Sequence, residues 1–200
     1  MKGSILIVSF FIAGVLLGRM GWLPAFLLEN DPTLYALYAL MFLVGVGIGA
    51  DNKLKEIARR IHVRILLVPL ATILGTLSGA ALISLCLPQR SLGDCLAVGS
   101  GFGYYSLSSV FITEYKGAEL GTIALTSNII REIITLLGAP LLVRYFGRLA
   151  PICAGGATTM DTTLPVITRY SGQDLVFVSI FHGIAVDFTV PFLVTFFCSI

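Results

Sequence analysis

Residues 154–165 read AGGATTMDTTLP, which places two glycines, four threonines and a proline around a single carboxylate, Asp161. Glycine loses more conformational freedom in a helix than any other residue, and proline removes a helical hydrogen bond. This composition is therefore a poor one for a regular helix in an apolar environment. The stretch predicts a helix break near Asp161, and the alternative is an interfacial Asp161 that caps a helix.

The chain around this stretch has the composition of a membrane protein. Of its 200 residues, 56% are hydrophobic and 12% are charged, and the mean hydropathy is +0.95. Soluble domains typically carry about 25% charged residues, so most of this surface is expected to face lipid. Several apolar runs reach the roughly 20 residues that a helix needs to cross a bilayer. An all-α, polytopic membrane protein is predicted.

Seven transmembrane spans can be read along the chain. They run from Gly3 to Arg19, Thr33 to Ala50, Ile65 to Leu87, Cys95 to Ile112, Ala118 to Val143, Leu149 to Ile167, and Asp174 to the C-terminus. The fourth and sixth are short and glycine-rich, so either could be broken or re-entrant. The first apolar run follows Lys2 as a signal peptide would, but it lacks a convincing cleavage site and is expected to be retained. Residues 1–200 are predicted to form one membrane domain.

The basic residues predict the orientation of these spans. The loop of residues 51–64 holds five of them, Lys53, Lys55, Arg59, Arg60 and Arg64. With this loop in the cytoplasm, seven spans place eight basic residues on that side and four on the other, with Arg131 inside the membrane. Cytoplasmic loops carry the excess of Lys and Arg. A cytoplasmic N-terminus and an outside C-terminus are therefore predicted.

The break in the sixth span points to a binding site. Non-helical backbone at membrane depth is tolerated only where it is buried in protein or lines water, and transporters use such breaks to direct helix ends at a bound substrate. Asp161 is thus the first candidate for a residue that binds a cation or a proton. The other residues expected at this break are Gly155, Gly156, Thr158 and Thr159.

The fourth span contains a second glycine-rich stretch, GSGFGYYSLSS, at residues 99–109. Alternating glycines followed by aromatic and hydroxyl side chains predict another unwound segment, although a close-packed helix crossing is the alternative. No Lys-Ser/Thr pair follows and no strand precedes, so no nucleotide, cofactor or nucleic acid is expected. The residues predicted to break this helix or to lie at the site are Gly99, Gly101, Gly103, Tyr104, Tyr105 and Ser106.

A polar stripe runs along the predicted fifth span. Residues at steps of three or four share one helical face, and they are Gly121, Ala124, Asn128, Arg131, Glu132, Thr135 and Gly138. The opposite face carries Ile123, Ile130, Ile133, Ile134 and Leu137, which suit lipid. Asn128, Arg131 and Glu132 are candidates for a substrate or coupling-ion site, and the alternative is an Arg131–Glu132 ion pair that locks helix packing.

The last span carries His182 and Asp187, which lie about 140° apart on a helix and are not natural partners. His182 could line the cavity and titrate near neutrality, or it could be a hydrogen-bonded packing residue; Asp187 is the weaker candidate. The four cysteines show no CxxC pattern. They are expected to be free thiols, with a Cys86–Cys95 bridge as the alternative.

Taken together, these stretches resemble the lysine exporter (LysO) family. The matching segments are residues 99–108, the Asn128-x-x-Arg131-Glu132 face and residues 156–166; residues 42–47 and His182-Gly183 followed by Pro191 also fit. The resemblance covers nearly the whole chain. It implies efflux of L-lysine, and of toxic lysine analogues, across the bacterial inner (cytoplasmic) membrane.

The resemblance also implies dependence on intramembrane acidic residues, and Asp161 occupies such a position. Full-length relatives carry further N-terminal spans with another important acidic residue. The chain is therefore expected to be the C-terminal part of a split exporter, or a shortened one, with an N-terminal membrane protein and lipid as partners. Asp187 matches no motif of the family, so no role is transferred to it.

The chemistry of lysine fits these candidates. Its ammonium groups require carboxylates, which Asp161 and Glu132 supply, and its carboxylate requires an arginine or helix-N-terminal amides, which Arg131 and the glycine-rich breaks supply. Coupled export is expected to use Asp161 to bind either a proton or the substrate ammonium. The rivals are a structural or regulatory membrane subunit without transport, and an intramembrane hydrolase using Ser100 and His182. The GxSG pattern of one such protease class lacks its first glycine here, so no catalytic residue is predicted.

Overall fold

The structure is a computed structural model that describes residues 63–200, together with residues 13, 16–20, 35, 39, 42 and 46. The chain divides into two compact units, residues 1–46 and 47–200. In the first unit the described residues are helical, apart from a turn at Met20. The predicted first and second spans and the basic loop lie wholly or largely outside the described residues, and the prediction of a single domain stays a prediction.

In the described part of the second unit every element of regular secondary structure is a helix and none is a strand, so the all-α prediction is confirmed for these residues. Two 3-10 helices, Gly156–Met160 and Gln173–Leu175, interrupt the α-helices. The α-helices are α1 (Val63–Ser84), α2 (Leu92–Gly99), α3 (Tyr105–Lys116), α4 (Ala118–Phe146), α5 (Ala150–Gly155), α6 (Leu164–Ser171) and α7 (Val176–Cys198).

Three of these helices, α1, α4 and α7, are long, with 22, 29 and 23 residues. At about 1.5 Å per residue each exceeds 30 Å, the thickness of a hydrocarbon core. Ile65–Ser84 and Gln173–Cys198 are also apolar enough to cross a membrane, by length and composition. They match the predicted third and seventh spans. The predicted fifth span is α4, which continues without interruption to Phe146.

The predicted fourth span is instead a hairpin, residues 92–116, named here the first hairpin. Its arms α2 and α3 have 8 and 12 residues, about 12 and 18 Å, and neither could cross the membrane alone. Ion pairs join its two ends, because Arg90 pairs with Glu119 and Lys116 Nζ lies 3.6 Å from an Asp94 carboxylate oxygen. The first hairpin therefore enters and leaves at the same end of the unit.

The predicted sixth span is a second hairpin, residues 150–171, built from α5, the 3-10 helix and α6. Its α-helical arms have only 6 and 8 residues. Arg148 closes its base, since its Nε donates to the Ser171 carbonyl oxygen at 2.6 Å and its guanidinium pairs with Asp174. This second hairpin also returns to the end from which it started.

The two hairpins enter from opposite ends of the unit, because α4 runs from the base of the first hairpin to the base of the second. α7 returns in the other direction and finishes beside α2, where Gly93 packs against the Phe197 carbonyl. The prediction that the fourth and sixth segments are broken is confirmed. Seven crossings are not confirmed, because the arms of both segments are short and their ends are tied together, which fits the re-entrant alternative stated above.

The polar stripe of α4 packs inward as predicted. Gly121, Ala124, Asn128 and Thr135 are buried, and Arg131, Glu132 and Gly138 are half-buried. Gly121 allows α3 to approach closely, since an added Cβ would lie 3.0 Å from the Ser109 carbonyl oxygen. The five aliphatic residues of the opposite face are all exposed. The four cysteines are free thiols, and no Cys86–Cys95 bridge forms.

Candidate functional site

The tips of the two hairpins meet in the middle of the unit. The Ala157 amide of the second hairpin donates a hydrogen bond to the Phe102 carbonyl oxygen of the first, at 2.9 Å. Phe102 is fully buried and has a positive φ of 45°, a conformation that non-glycine residues rarely adopt and that clusters at functional sites. The surrounding packing must therefore hold this tip in place.

Glycines make the approach of the two tips possible. Gly156 has a φ of 62°, and a Cβ added to it would overlap the Phe102 carbonyl oxygen. Each of the other four predicted glycines lies against a neighbour that a Cβ would crowd, and the pairs are Gly99 with Ala80 of α1, Gly101 with Asn128, Gly103 with the Gly155 carbonyl, and Gly155 with Thr163. The five glycines thus serve close packing at and beside the meeting point.

A cavity of about 230 Å³ lies at the meeting point. The first hairpin lines it with Gly103, Tyr104, Tyr105 and Ser106, and the second with Thr158 and Asp161. All of these were predicted from the sequence to lie at the site. Because they come from two segments more than forty residues apart, the fold is what brings them together.

Asp161 lies at the mouth of this cavity. It immediately follows the 3-10 helix, its side chain is exposed, and one carboxylate oxygen accepts a hydrogen bond from the Thr162 amide at 2.5 Å. The second carboxylate oxygen has no hydrogen-bond partner among the described residues. Pro165, at the start of α6, allows the helix to resume just beyond it, since proline fits the first helical turn.

Asp187 of α7, which the sequence analysis took as the weaker candidate, is also part of the cavity. It is only 6% exposed, and its Oδ1 has no hydrogen-bond partner among the described residues. The available signal was an ionisable residue in the middle of an apolar span, which is usually functional or paired. The absence of a recognisable motif around it obscured that signal.

Asn128 ties α4 to the tip of the first hairpin. Its Oδ1 accepts from the Gly103 amide at 2.7 Å, and its Nδ2 donates to the Ala124 carbonyl oxygen at 2.9 Å and to Ser108 Oγ at 3.4 Å. The side chain is buried, and its amide oxygen and nitrogen both have protein partners. Asn128 therefore holds the break in place and does not line the cavity.

Arg131 binds the second hairpin from α4. Its Nε donates to the Ala154 carbonyl oxygen at 2.7 Å and its Nη2 to the Cys153 carbonyl oxygen at 3.0 Å. These carbonyls belong to the C-terminal end of α5, where the helix dipole favours a positive charge. The guanidinium also lies 6.0 Å from the centroid of the Phe102 ring. Arg131 thus contacts both tips, and it lines a separate cleft of about 580 Å³ on the side of α1.

His182 and Thr159 form a buried network behind the second tip. His182 Nδ1 lies 3.1 Å from Thr159 Oγ1, and its Nε2 lies 2.8 Å from Thr72 Oγ1 of α1. The neighbouring Gly183 lets α7 approach the tip, since an added Cβ would lie 2.7 Å from the Met160 amide nitrogen. His182 is fully buried and does not line the cavity.

Two predicted pairings do not form in the part of the chain that the structure describes. Its ion pairs join Arg90 with Glu119, Lys116 with Asp94 and Arg148 with Asp174, so none links Arg131 to Glu132. Glu132 is half-buried on α4 and does not line the cavity. The Ser100 hydroxyl is buried and donates to the Ala97 carbonyl oxygen, so it forms no dyad with His182.

The cavity offers both signs of charge to a small ligand. Asp161 presents an exposed carboxylate and Asp187 a buried carboxyl group, while the first turn of α3 presents Tyr105 and Ser106 at a helix N-terminus, where the helix dipole attracts anions. No group of three or more potential metal-ligating side chains occurs within the described residues. The arrangement suits a small zwitterion or organic cation.

Long apolar helices around two opposed hairpins, with a charged cavity where the hairpins meet, are an arrangement typical of membrane transporters. The family model described as Lysine exporter LysO matches residues 8–198. The chain therefore belongs to the lysine exporter LysO family.

Two curated relatives give the extent of the similarity. The chain is 36% identical over 168 residues to the lysine exporter LysO of Escherichia coli, an alignment that covers 82% of this chain and 54% of that protein. It is 33% identical over 198 residues to a putative lysine exporter of Haemophilus influenzae, which covers 96% and 97% of the two chains. The chain thus spans about half the length of the first relative and nearly all of the second. No solved structure matches it.

Proposed function

We propose that this chain exports L-lysine as a secondary transporter and that the cavity at the meeting point of the two hairpins is its substrate site. The observation that carries the proposal is Asp161, an accessible carboxylate at the mouth of a cavity formed by two helix breaks. The family to which the chain belongs supplies the substrate. Toxic lysine analogues with the same charged groups would use the same site.

The binding mode follows from the charges of lysine. An ammonium group of the substrate binds the open oxygen of Asp161, as a charge-assisted hydrogen bond. The substrate carboxylate binds the N-terminal turn of α3, at Tyr105 and Ser106. Drug-sized ligands occupy pockets of about 300 Å³ and above, so a cavity of about 230 Å³ is of a size for a single small amino acid.

Export against a gradient requires coupling to an ion that moves the other way. We infer that a proton or another cation competes with the ammonium group inside the cavity, because two carboxylates at membrane depth attract any small cation. Arg131, Asn128, Thr159 and His182 act in this scheme as positioning residues, since their polar groups hold the two hairpin tips. Glu132 is left outside the site.

The chain is proposed to lie in the inner membrane with its N-terminus in the cytoplasm and its C-terminus outside. With three crossing helices and two re-entrant hairpins in residues 63–200, both termini stay on the sides that seven spans predict. Lys116, however, moves to the outer side, and Arg144 and Arg148 move to the inner side. The bias of basic residues then becomes nine inside against three outside, which agrees better with the preference for basic residues in the cytoplasm.

Transport is proposed to require an N-terminal membrane partner, as in a split exporter. The support is the length of the Escherichia coli relative, of which this chain covers 54%. The relative from Haemophilus influenzae is covered over 97% of its length, so the experiment also tests this chain expressed alone.

The experiment is efflux of preloaded labelled lysine from a transporter-deficient bacterium. The chain is expressed alone and with the segment that corresponds to the N-terminal half of the longer relative. Efflux is expected when the chain and the N-terminal segment are expressed together. Asp161→Asn is expected to reduce this efflux by at least ~100-fold, since it removes a charge that contacts the substrate. Asp174→Asn, an exposed carboxylate outside the cavity, is the matched control.

Normal efflux by Asp161→Asn at an unchanged level of folded protein would contradict the assignment of the site. The absence of efflux in both arrangements, with the proteins verified in the membrane, would contradict lysine export itself. Efflux by the chain alone would overturn the proposed need for a partner and leave the rest in place.

A further inference from the structure

One buried charge-bearing group has no function in the binding mode above, the carboxyl group of Asp187. We propose that Asp187 is the coupling residue, which holds a proton while the cavity is empty and releases it when an ammonium group of lysine binds at Asp161. This inference rests on the proposed function and adds to it the residue and the ion that drive export.

The two carboxyl groups of the cavity have different surroundings. Asp161 is exposed and accepts a hydrogen bond from the Thr162 amide. Asp187 is 6% exposed, and its Oδ1 has no donor among the described residues. A buried carboxylate without a donor or a cation is costly, so Asp187 requires a proton or a bound cation in every state of the cycle. Asp161 does not.

The groups that face Asp187 favour a small occupant over a fixed ion pair. Asp161 of the second hairpin and Tyr104 and Tyr105 of the first are the titratable groups that share its cavity. α1, α2, α5, α6 and the 3-10 helix Gln173–Leu175 also pack against α7, but the described cavity lining includes no titratable side chain from them. His182, the other titratable group on α7, is hydrogen bonded to Thr72 and Thr159. No arginine or lysine lines the cavity among the described residues.

The exchange step balances in atoms and charge. A lysine ammonium bound at Asp161 places a positive charge near Asp187 and stabilises its ionised form by Coulomb attraction. The O–H bond of the Asp187 carboxyl breaks, its electron pair stays on the carboxylate, and the proton leaves to the solvent on the side to which the cavity is open. Once lysine has left on the outside, a proton from that side returns to Asp187. One lysine cation is exchanged for one proton, so a cycle moves no net charge.

Two transport assays with purified protein in liposomes separate coupling from substrate binding. They use the complete transporter, in whichever arrangement exports lysine. Lysine–lysine counterflow at equal pH requires the substrate site but no proton exchange, whereas net lysine transport driven by a pH gradient requires both. For Asp187→Asn, counterflow is expected to stay within about twofold of the wild type, while transport driven by the gradient falls at least ~tenfold.

Three variants complete the comparison. Asp161→Asn is expected to lose both activities, because it removes the contact with the substrate. Asp174→Asn, whose carboxylate pairs with Arg148 outside the cavity, is expected to keep both. Asp187→Glu retains a carboxyl group, so it is expected to keep transport driven by pH, and it also tests the proposal if Asp187→Asn does not fold.

Several outcomes would overturn the proposal. Transport by Asp187→Asn that still follows the pH gradient would show that another group carries the proton. Loss of counterflow together with net transport in folded Asp187→Asn would make Asp187 a substrate-binding residue. A wild type that responds to a sodium gradient and not to a pH gradient would replace the proton with sodium. If the wild type transports no lysine in either assay, the proposed function itself fails.

Discussion

At the residue scale, the meeting of the two hairpins depends on Gly156. Its φ of 62° belongs to the left-handed region, which an L-residue enters at a cost of about 1–2 kcal/mol. The larger effect is steric, because the Phe102 carbonyl oxygen occupies the position of a Cβ. That carbonyl oxygen also accepts the Ala157 amide, so it cannot move away without losing the hydrogen bond between the tips.

Gly156→Ala is therefore expected to reduce the free energy of unfolding by roughly 2–4 kcal/mol, through strain and the lost contact between the tips. The measurement is equilibrium unfolding in detergent. Gly138→Ala is the matched control, because an added Cβ there would have neighbours no closer than 4.0 Å. It should be neutral, or stabilise α4 by about 0.5–1 kcal/mol. Equal stability of the two variants would contradict the close approach of the tips.

The buried polar residues differ in whether their side chains have hydrogen-bond partners. Asn128 and His182 have protein partners on both sides of their side chains, whereas Asp187 Oδ1 has none among the described residues. A buried group whose hydrogen bonds are complete stabilises one arrangement of the backbone. A buried carboxyl oxygen without a donor can take up an exchangeable proton or cation, whereas both ring nitrogens of His182 already have protein partners.

At the scale of the elements, the short helix α5 depends on an arginine from another helix. With 6 residues, it is far below the about 12–15 residues at which isolated helices become stable. Its last carbonyls lack intrahelical partners, and Arg131 of α4 supplies two donors and a positive charge there. Arg131 therefore holds the first arm of the second hairpin, whereas the sequence analysis gave an ion pair with Glu132 as its alternative role.

Arg131→Met is expected to reduce the free energy of unfolding by roughly 3 kcal/mol, because two hydrogen bonds from a charged group are lost at buried carbonyls. Arg131→Lys should lose less but not recover fully, since an ammonium cannot reproduce the two-pronged geometry of guanidinium. Arg144→Met, at an exposed position of the same helix, is the control and should stay within about 0.5 kcal/mol of the wild type. An unchanged stability of Arg131→Met would show that α5 needs no cap.

At the scale of the whole molecule, two ion-paired hairpin bases show how the chain is arranged in the second unit. Arg90 pairs with Glu119 at one end, and Arg148 pairs with Asp174 at the other. Exposed ion pairs contribute little stability. Their value here is geometric, since each shows that the chain returns to the end from which the hairpin started. The meeting point then lies between the ends, where transporters bind their substrates.

Re-entrant hairpins predict a specific pattern of labelling from outside the cell. In a variant with all four cysteines replaced, Ala118→Cys should react with a membrane-impermeant thiol reagent in intact spheroplasts, as native Cys86 should in a chain that retains it alone. Phe146→Cys should react only after the membrane is permeabilised. All three positions are exposed.

Seven complete spans give the opposite result at two of these positions, because they place Ala118 inside and Phe146 outside. Cys86 lies outside in both topologies, so it serves as the control for orientation. Reaction of Phe146→Cys but not Ala118→Cys in spheroplasts would therefore reject the re-entrant hairpins. Reaction of Cys86 only after permeabilisation would reverse the orientation of the unit.

Much of the fold was available from the sequence because it depends on local composition and periodicity. The exposed isoleucines and buried small residues of α4 follow from helical spacing, and both helix breaks follow from glycine-rich stretches. Six of the predicted site residues belong to those two stretches, but the tertiary structure is what brings the two stretches together in one cavity. Arg131, Asn128 and His182 were recognised as buried polar residues, but their spacing could not reveal their partners.

The sequence by itself determined an all-helical membrane chain, the positions of its two breaks, its family and the candidacy of Asp161, because each depends on residues that are close together in the chain. Only the tertiary structure decided that the broken segments return to their own side, that Arg131 caps α5, and that Asp187 joins Asp161 in one cavity. These facts depend on contacts between segments tens of residues apart. A periodic pattern gives the face of a helix, but the packing of the other helices determines what that face meets.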